Sequence, residues 1–224
     1  MGDVTDRTDG EDAVKTVYVV DDDDHVRGGI DSLLRASGYV VRLFDSPDAF
    51  MRAPQADTPA CLVLDIRLKG ESGLDFQQRL RDEGGGLPVI LITGHGDVPM
   101  TVRAMKAGAV DFLPKPFRDD DLLSAVAQAV KIDSGRRNQR SEAEDLAARY
   151  ATLTTREKEV LGLVVAGLLN KQVADRLDLS IVTVKIHRGQ AIRKMGATSL
   201  ADLVRMAGIL QIHDLRISRF NTRV

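Results

Sequence analysis

Thr16-Val17-Tyr18-Val19-Val20-Asp21-Asp22 is a short run of strand-forming residues that ends in two carboxylates. Three further apolar runs also end in a polar group: Asp65 follows residues 61–64, Thr93 follows residues 88–92, and Lys115 follows residues 110–114. Parallel strands bring such groups to one carboxyl edge, where open α/β sheets place their sites. The spacing therefore predicts one site assembled from the ends of four strands.

Asp21, Asp22 and Asp65 would carry three negative charges at this edge. Carboxylates about 4 Å apart repel by roughly 4 kcal/mol per pair at an effective dielectric near 20, so the arrangement needs a cation. A divalent metal and the ammonium of Lys115 would then face one carboxylate oxygen of Asp65. This combination is typical of phosphoryl transfer onto an aspartate.

The residues up to 131 predict an α/β fold with a five-stranded, doubly wound parallel sheet. Strands are expected at residues 16–20, 39–43, 60–64, 88–92 and 110–113. Apolar residues at helical spacing fill the intervals at 25–36, 47–53, 72–82, 97–107 and 119–131. Continuous apolar strands are typical of a sheet covered by helices on both faces, and the regular alternation is typical of parallel strands.

The small net charge of −2 conceals a division along the chain. Residues 1–133 hold 24 acidic and 15 basic residues, a net charge of −9, whereas residues 134–224 hold 9 acidic and 16 basic residues, a net charge of +7. A basic carboxyl-terminal part indicates a polyanionic partner, and a solvated basic surface is the plainer alternative.

The basic part predicts an all-α domain of four short helices. Thr154 and Glu157 form a capping-box pattern for a helix to about residue 166, and Ser180 can cap a third helix that ends at Met195. Helices at 170–177 and 199–210 complete the set. The second and third helices are joined across residues 178–180, which is the spacing of a helix-turn-helix.

Residues 15–131 resemble the receiver domain of two-component response regulators. The motifs that carry this resemblance are Val19-Val20-Asp21-Asp22, Leu64-Asp65, Ile92-Thr93-Gly94-His95-Gly96 and Phe112-Leu113-Pro114-Lys115-Pro116. Residues 152–210 resemble the LuxR-type helix-turn-helix of NarL/FixJ-type regulators, on residues 153–161, 167–171 and 183–188. The expected organisation is a disordered acidic tail at 1–14, a flavodoxin-like receiver at 15–131, a partly helical linker at 132–151, a DNA-binding domain at 152–211 and a basic tail at 212–224.

The receiver resemblance implies that Asp65 accepts a phosphoryl group from a cognate histidine kinase, with Thr93 and Lys115 beside it. The implied ligands of Mg²⁺ are Asp21 (largely through water), Asp22, Asp65 and the backbone carbonyl of Arg67. Thr93 and Phe112 would form the switch that follows phosphorylation. The phosphorylated form would become a homodimer through Val102, Lys106 and Asp111, on the fourth helix and fifth strand.

The LuxR-type resemblance implies contact with double-stranded promoter DNA. Lys185, Ile186 and Arg188 are the expected major-groove contacts, because a helix inserted there presents its first turns to base edges. Thr183, Lys171 and Lys194 are expected to hold phosphates, and Val184 belongs to the same DNA-binding set. RNA polymerase is a further candidate partner.

Three departures from the family patterns stand out. Lys69 occupies the position, four residues after Asp65, where the family usually has proline. The hypothesis is that Lys69, with Arg67 and His95, tunes dephosphorylation. In the DNA-binding domain, Gly189 stands where a side chain could have reached the groove, and residues 181–182 are apolar where a polar pair is usual.

Other classes of protein fit the sequence less well. A DNA-binding regulator with a phosphorylation-independent receiver is the first alternative, which Lys69 permits and the intact acidic cluster opposes. A phosphohydrolase of the haloacid dehalogenase type, which uses an aspartyl-phosphate, needs a second acid two residues after the nucleophile, where Arg67 stands, so the protein is not expected to be an enzyme. No apolar run reaches about eighteen residues, so no membrane partner and a cytoplasmic location are expected.

Overall fold

The computed structural model describes residues 14–84, 86–94 and 98–212. The predicted acidic tail up to residue 13, the basic tail from residue 213 onward, and His95 lie outside the described residues. The chain divides into two compact units, which meet in sequence at Arg137 and Asn138. The first unit contains the sheet, and the second is helical.

The first unit is built on five parallel strands in the order β2-β1-β3-β4-β5. The strands are β1 (Thr16–Val20), β2 (Val40–Phe44), β3 (Ala60–Asp65), β4 (Val89–Thr93) and β5 (Asp111–Pro114). The helices are α1 (Asp24–Ala36), α2 (Pro47–Arg52), α3 (Gly73–Asp82), α4 (Val98–Lys106) and α5 (Asp119–Ala151). The predicted α/β fold is confirmed, and every strand begins within one residue of its predicted start.

Helices cover both faces of the sheet, as the apolar strands predicted. Val17 and Val19 pack in one buried cluster with residues of α1 and α5. Tyr18 and Val20 pack in a second cluster with residues of α2, α3 and α4. Neighbouring residues of a strand face opposite sides of the sheet, so each central strand contributes to both cores.

Cys61 is the one cysteine of the sequence and lies in β3, in the cluster beneath α1 and α5. Its side chain has 0% exposure, and burial raises the pKa of the thiol to about 12. Cys61 is therefore a small buried side chain of the core and not an activated thiol.

α5 runs without a break through the predicted linker at 132–151. The linker is rich in arginine, glutamine, glutamate and alanine, which are strong helix formers. Arg140 also donates a hydrogen bond of 2.8 Å to Glu144, one turn further along the helix. This segment is therefore helical throughout rather than in part.

The second unit is all-α, as predicted. Beside the end of α5 it contains α6 (Thr155–Val165), α7 (Asn170–Leu177), α8 (Ile181–Met195) and α9 (Leu200–Ile209). The capping box of α6 is formed: the amide of Thr154 donates to Glu157 at 2.8 Å, and the amide of Glu157 donates to the Thr154 hydroxyl at 3.3 Å. The Ser180 hydroxyl caps α8 by accepting from the Thr183 amide at 3.0 Å.

A buried carboxylate fixes α5 to the amino edge of the sheet. Asp133 has 0% exposure, and it accepts hydrogen bonds from the Ala60 amide at 2.9 Å and from Arg137 Nε at 2.8 Å. Arg136 also pairs with it. Arg137 also donates a hydrogen bond from Nη1 to Oδ1 of the exposed Asp57, at 2.8 Å.

We expect Asp133→Ala to lower the free energy of unfolding of the first unit by about 3 kcal/mol, because the Ala60 amide loses its acceptor and two guanidinium groups lose their buried counter-charge. Asp57→Ala is the matched control and should cost less than about 1 kcal/mol, since an exposed pair contributes little. Urea unfolding followed by circular dichroism measures both. Equal losses in the two variants would contradict the assignment of Asp133 as the anchor.

Candidate functional site

The strand register explains why the predicted site residues meet. Val20 of β1 pairs with Leu64 of β3, so Asp21 and Asp65 follow at the same level of the sheet. Asp65 in turn pairs with Ile92, and Thr93 pairs with Pro114, the residue before Lys115. Four strands therefore deliver their terminal polar groups to one edge, and the predicted site is assembled there.

Asp21, Asp22 and Asp65 each offer a carboxylate oxygen, and these oxygens lie within 4.8 Å of one another. Asp21 is fully buried, Asp65 is 6% exposed and Asp22 is partly exposed. Carboxylate oxygens are the ligands that Mg²⁺ prefers, and a cluster open on one side leaves room for the waters that this ion retains. The donor set therefore fits Mg²⁺.

Lys115 bridges two of the three acids. Its ammonium donates to Asp21 Oδ2 at 2.7 Å and to Asp65 Oδ2 at 3.1 Å. The sequence predicted a pairing with Asp65, and the structure adds Asp21. The Lys115 amide donates to the carbonyl of Thr93 at 2.7 Å, and the Lys115–Pro116 peptide bond is cis. The hydrogen bond to Thr93 holds the backbone of Lys115 beside the end of β4.

The pKa values at the site reflect this crowding. Burial raises the pKa of Asp65 above its ordinary value, Lys115 opposes that rise, and the charge of Asp21 adds to it. The pKa of Lys115 is raised as well: burial disfavours its charged form, but the hydrogen bond to Asp21 and the charge of Asp65 outweigh this effect. Lys115 therefore stays protonated between Asp21 and Asp65, and Asp65 gives up its proton less readily than an ordinary aspartate.

The residues around the acids are placed as follows. The amide of Arg67 donates to Asp65 Oδ1 at 3.3 Å, and its side chain is exposed. Thr93 is fully buried at the end of β4, and Phe112 packs against the core beneath α2, α3 and α4. Lys69, which the sequence marked as a departure, places its ammonium 3.4 Å from Asp22 Oδ2.

The predicted dimerisation residues lie on α4 and β5. Val102 is 45% exposed, Lys106 is exposed, and Asp111 accepts a hydrogen bond from the Phe112 amide at 2.8 Å. Two apolar neighbours of Val102 on α4, Val98 and Met105, are 78% and 47% exposed and were not predicted from the sequence. Their spacing of four and three residues around Val102 is the helical signal that could have revealed them.

The predicted DNA-binding residues are less uniform. Lys185 and Ile186 project from the first half of α8, and Ile186 is 54% exposed. Lys171 is exposed on α7. Arg188 donates to Asn170 at 3.1 Å, and the Thr183 hydroxyl lies 2.8 Å from that of Ser180 at the start of α8. These five residues lie on or beside the two helices of the helix-turn-helix.

Two members of the predicted DNA-binding set, Val184 and Lys194, make contacts within the domain instead. Val184 has 0% exposure and packs with Val160 and Val173, so it cannot touch DNA and its assignment as a contact is wrong. Lys194 donates to Glu157 at 2.7 Å and to the carbonyl of Thr152 at 3.2 Å. The hydrogen bond from Lys194 lowers the pKa of Glu157, so Glu157 already balances the positive charge of Lys194 within the domain.

Comparison with known proteins agrees with this architecture. Residues 17–127 match the response regulator receiver domain, and residues 151–207 match the bacterial regulatory proteins of the luxR family. The transcriptional regulatory protein FixJ of Rhizobium meliloti is 43% identical over 192 residues, which cover 86% of this chain and 94% of that protein. The chain belongs to the NarL/FixJ-type response regulators.

Further similarities span both domains of this response regulator. Nodulation protein W of Bradyrhizobium diazoefficiens is 50% identical over 196 residues, covering 88% of this chain and 86% of that protein. The solved structure of the response regulator StyR matches with a TM-score of 0.77 and 45% identity, over 88% of this chain and 99% of the other. Other relatives bear the names of response regulators or transcriptional regulatory proteins and not of enzymes.

Within the part of the chain that the structure describes, no helix is both long enough and apolar enough to cross a lipid bilayer.

We expect Asp65→Asn to raise the free energy of unfolding of the receiver at pH 7 by on the order of 1 kcal/mol in metal-free buffer. The amide removes a buried negative charge beside Asp21, and Lys115 keeps its 2.7 Å contact with Asp21. Urea unfolding followed by circular dichroism measures the difference, with the exposed Asp48→Asn as a control that should not change stability.

The same variant has a predicted pH dependence. The pKa of Asp65 in the folded protein lies above its ordinary value of 3.8, so the unfolded chain ionises first as the pH rises. The parent should therefore lose stability relative to Asp65→Asn from about pH 4 upward, until Asp65 is ionised in the folded state as well. Above that point the difference should be constant. A parent that is more stable than the variant at neutral pH would refute this reading of the site.

Proposed function

We propose that this response regulator is a phosphorylation-dependent transcriptional regulator that acts in the cytoplasm. A histidine kinase transfers a phosphoryl group to Asp65, the receiver dimerises through α4 and β5, and the helix-turn-helix binds promoter DNA. The observation that carries the proposal is the cluster of Asp21, Asp22 and Asp65 around Lys115 in a chain that also has a luxR-type domain.

Phosphoryl transfer follows from the chemistry of these groups. A carboxylate oxygen of Asp65 attacks phosphorus, and the bond from phosphorus to the imidazole nitrogen of the kinase histidine breaks as the imidazole leaves. Asp22, Asp65, the carbonyl of Arg67 and, largely through water, Asp21 would hold Mg²⁺, which would neutralise the phosphoryl oxygens. Lys115 balances further negative charge, and the strand ends hold the attacking oxygen in position.

The added charge on Asp65 is the proposed signal. Thr93, at the end of the adjacent strand, can donate a hydrogen bond from its hydroxyl to a phosphoryl oxygen and draw the following loop inward. Phe112 would follow that movement. Such a switch redistributes two states, for which a coupling of about 1 to 3 kcal/mol is typical.

Apolar contact is the main support for dimerisation. Val98, Val102 and Met105 form a stripe along α4. A pair between Lys106 of one subunit and Asp111 of its partner would be exposed and would contribute about 0 to 1 kcal/mol. Burial of the stripe therefore has to supply most of the free energy.

The surface around α8 supports DNA binding. Lys185 and Ile186 lie in its exposed first turns, where a groove-inserted helix meets base edges. Arg188 is tied to Asn170 by one nitrogen and keeps other donors, while Lys171 and Thr183 can contact phosphates. RNA polymerase is a further proposed partner of the DNA-bound form.

We expect Asp65→Asn to abolish labelling of the full-length protein by acetyl phosphate in the presence of Mg²⁺, because a neutral amide is a far weaker nucleophile than a carboxylate. Mass spectrometry of the intact protein measures the label. Asp48→Asn is the control and should label like the parent.

Sedimentation separates this proposal from the alternative of a phosphorylation-independent receiver. Beryllofluoride with Mg²⁺ should raise the dimer fraction of the parent and leave Asp65→Asn unchanged. If the parent keeps the same sedimentation coefficient and the same DNA affinity with and without beryllofluoride, the alternative is correct.

We expect Lys185→Ala to weaken specific DNA binding by roughly tenfold to a hundredfold at fixed salt, since a base-edge contact contributes about 1 to 3 kcal/mol. Fluorescence anisotropy with a duplex selected by the parent from a random library measures the affinity. Lys131→Ala removes an exposed lysine from α5 and should have no effect. Unchanged binding by Lys185→Ala would show that α8 does not read the groove through this residue.

A further inference from the structure

Lys69 contacts Asp22, one of the three clustered acids, from outside the cluster. Its ammonium lies 3.4 Å from Asp22 Oδ2, and Asp22 is the least buried of the three acids. The Lys69 side chain is itself 87% exposed. An opposite charge therefore rests beside the carboxylate that is open to an incoming cation.

The loop that carries Lys69 is held in place without proline. Glu71 accepts two hydrogen bonds from Arg79 of α3, at 3.2 Å and 2.6 Å, and the Arg79 guanidinium lies 5.1 Å from the centre of the Phe76 ring. Bidentate pairs of this kind fix geometry as well as charge. Gly70, at φ +101°, makes the turn between Lys69 and Glu71.

The end of the loop is equally constrained. Gly73 packs directly on the backbone of Asp65, since a Cβ at this position would lie 2.2 Å from the Asp65 carbonyl oxygen. Arg67 and Ser72 form a β-bridge across the loop. The loop from Asp65 to α3 is therefore held at both ends, and Lys69 lies in its middle.

Charge counting shows what this ammonium does. Three carboxylates and Lys115 alone would leave a charge of −2 for a divalent cation to neutralise. Lys69 reduces that charge to −1, with its ammonium 3.4 Å from Asp22 Oδ2. This charge acts against a cation that must share the same carboxylate.

We propose that Lys69 is a resident counter-ion that lowers the affinity of this receiver for Mg²⁺. The inference rests on the proposed function, because it assumes that Asp22 is a metal ligand. The receiver would then respond to the kinase only when the Mg²⁺ concentration is high enough to displace the ammonium from Asp22.

The test compares Mg²⁺ binding by the full-length parent and by Lys69→Met, which keeps an unbranched side chain one atom shorter and removes its charge. A titration followed by the backbone amide shifts of Asp65 and Thr93 reports binding without any phosphoryl transfer. At 0.1 M salt the variant should bind Mg²⁺ about three- to tenfold more tightly, as expected for an exposed unit charge close to a divalent ion.

Two controls make the result specific to the charge of Lys69. Lys69→Arg keeps the charge and should stay within about twofold of the parent. Lys131→Met removes a lysine from α5, near the amino edge of the sheet where Asp133 binds Ala60, and should also leave the affinity unchanged. In 1 M salt the gain of Lys69→Met should fall below about twofold, because the Debye length shrinks to about 3 Å.

Equal Mg²⁺ affinity of the parent and Lys69→Met would overturn the inference and leave the proposed function intact. A gain that persists undiminished in 1 M salt would also overturn it, since a rearranged loop and not the charge would then be responsible. If the parent neither responds to Mg²⁺ nor accepts label from acetyl phosphate, the proposed function itself fails.

Discussion

The enforced proximity of Asp21 and Asp65 is the constraint on which the rest of the receiver depends. Both carboxylates are almost completely buried, and a single ammonium, that of Lys115, contacts the two of them. Burial is the main reason that the pKa of Asp65 is raised; the charge of Asp21 adds to the rise and Lys115 opposes it. The two-faced core and the strand register hold this unfavourable arrangement together. A site held in this way is sensitive to any change in charge at Asp65.

Much of this arrangement was predictable because it depends on chain direction and short spacings. A polar residue directly after an apolar strand must appear at the carboxyl edge of a parallel sheet, so Asp21, Asp65, Thr93 and Lys115 could be grouped from sequence alone. The helical domain was predictable from its caps, since Thr154 and Ser180 mark helix starts through local hydrogen bonds.

Features that depend on long-range packing were not predictable. Val184 was included in the DNA-binding set, but it is buried against residues of α6 and α7. Lys194 was assigned to phosphate, and the sequence gives no sign that Glu157, 37 residues earlier, accepts its charge. The bond from Lys69 to Asp22 joins two loops that only the folded sheet brings together.

The buried state of Cys61 has a practical consequence for experiments on this protein. A thiol with no solvent contact and a pKa near 12 has almost no thiolate at neutral pH, and thiolate is the form that maleimides and methanethiosulfonates attack. The native chain is therefore expected to react very little with these thiol reagents. A single cysteine introduced on an exposed helix can carry a spin label or a fluorophore, and Cys61 need not be replaced first.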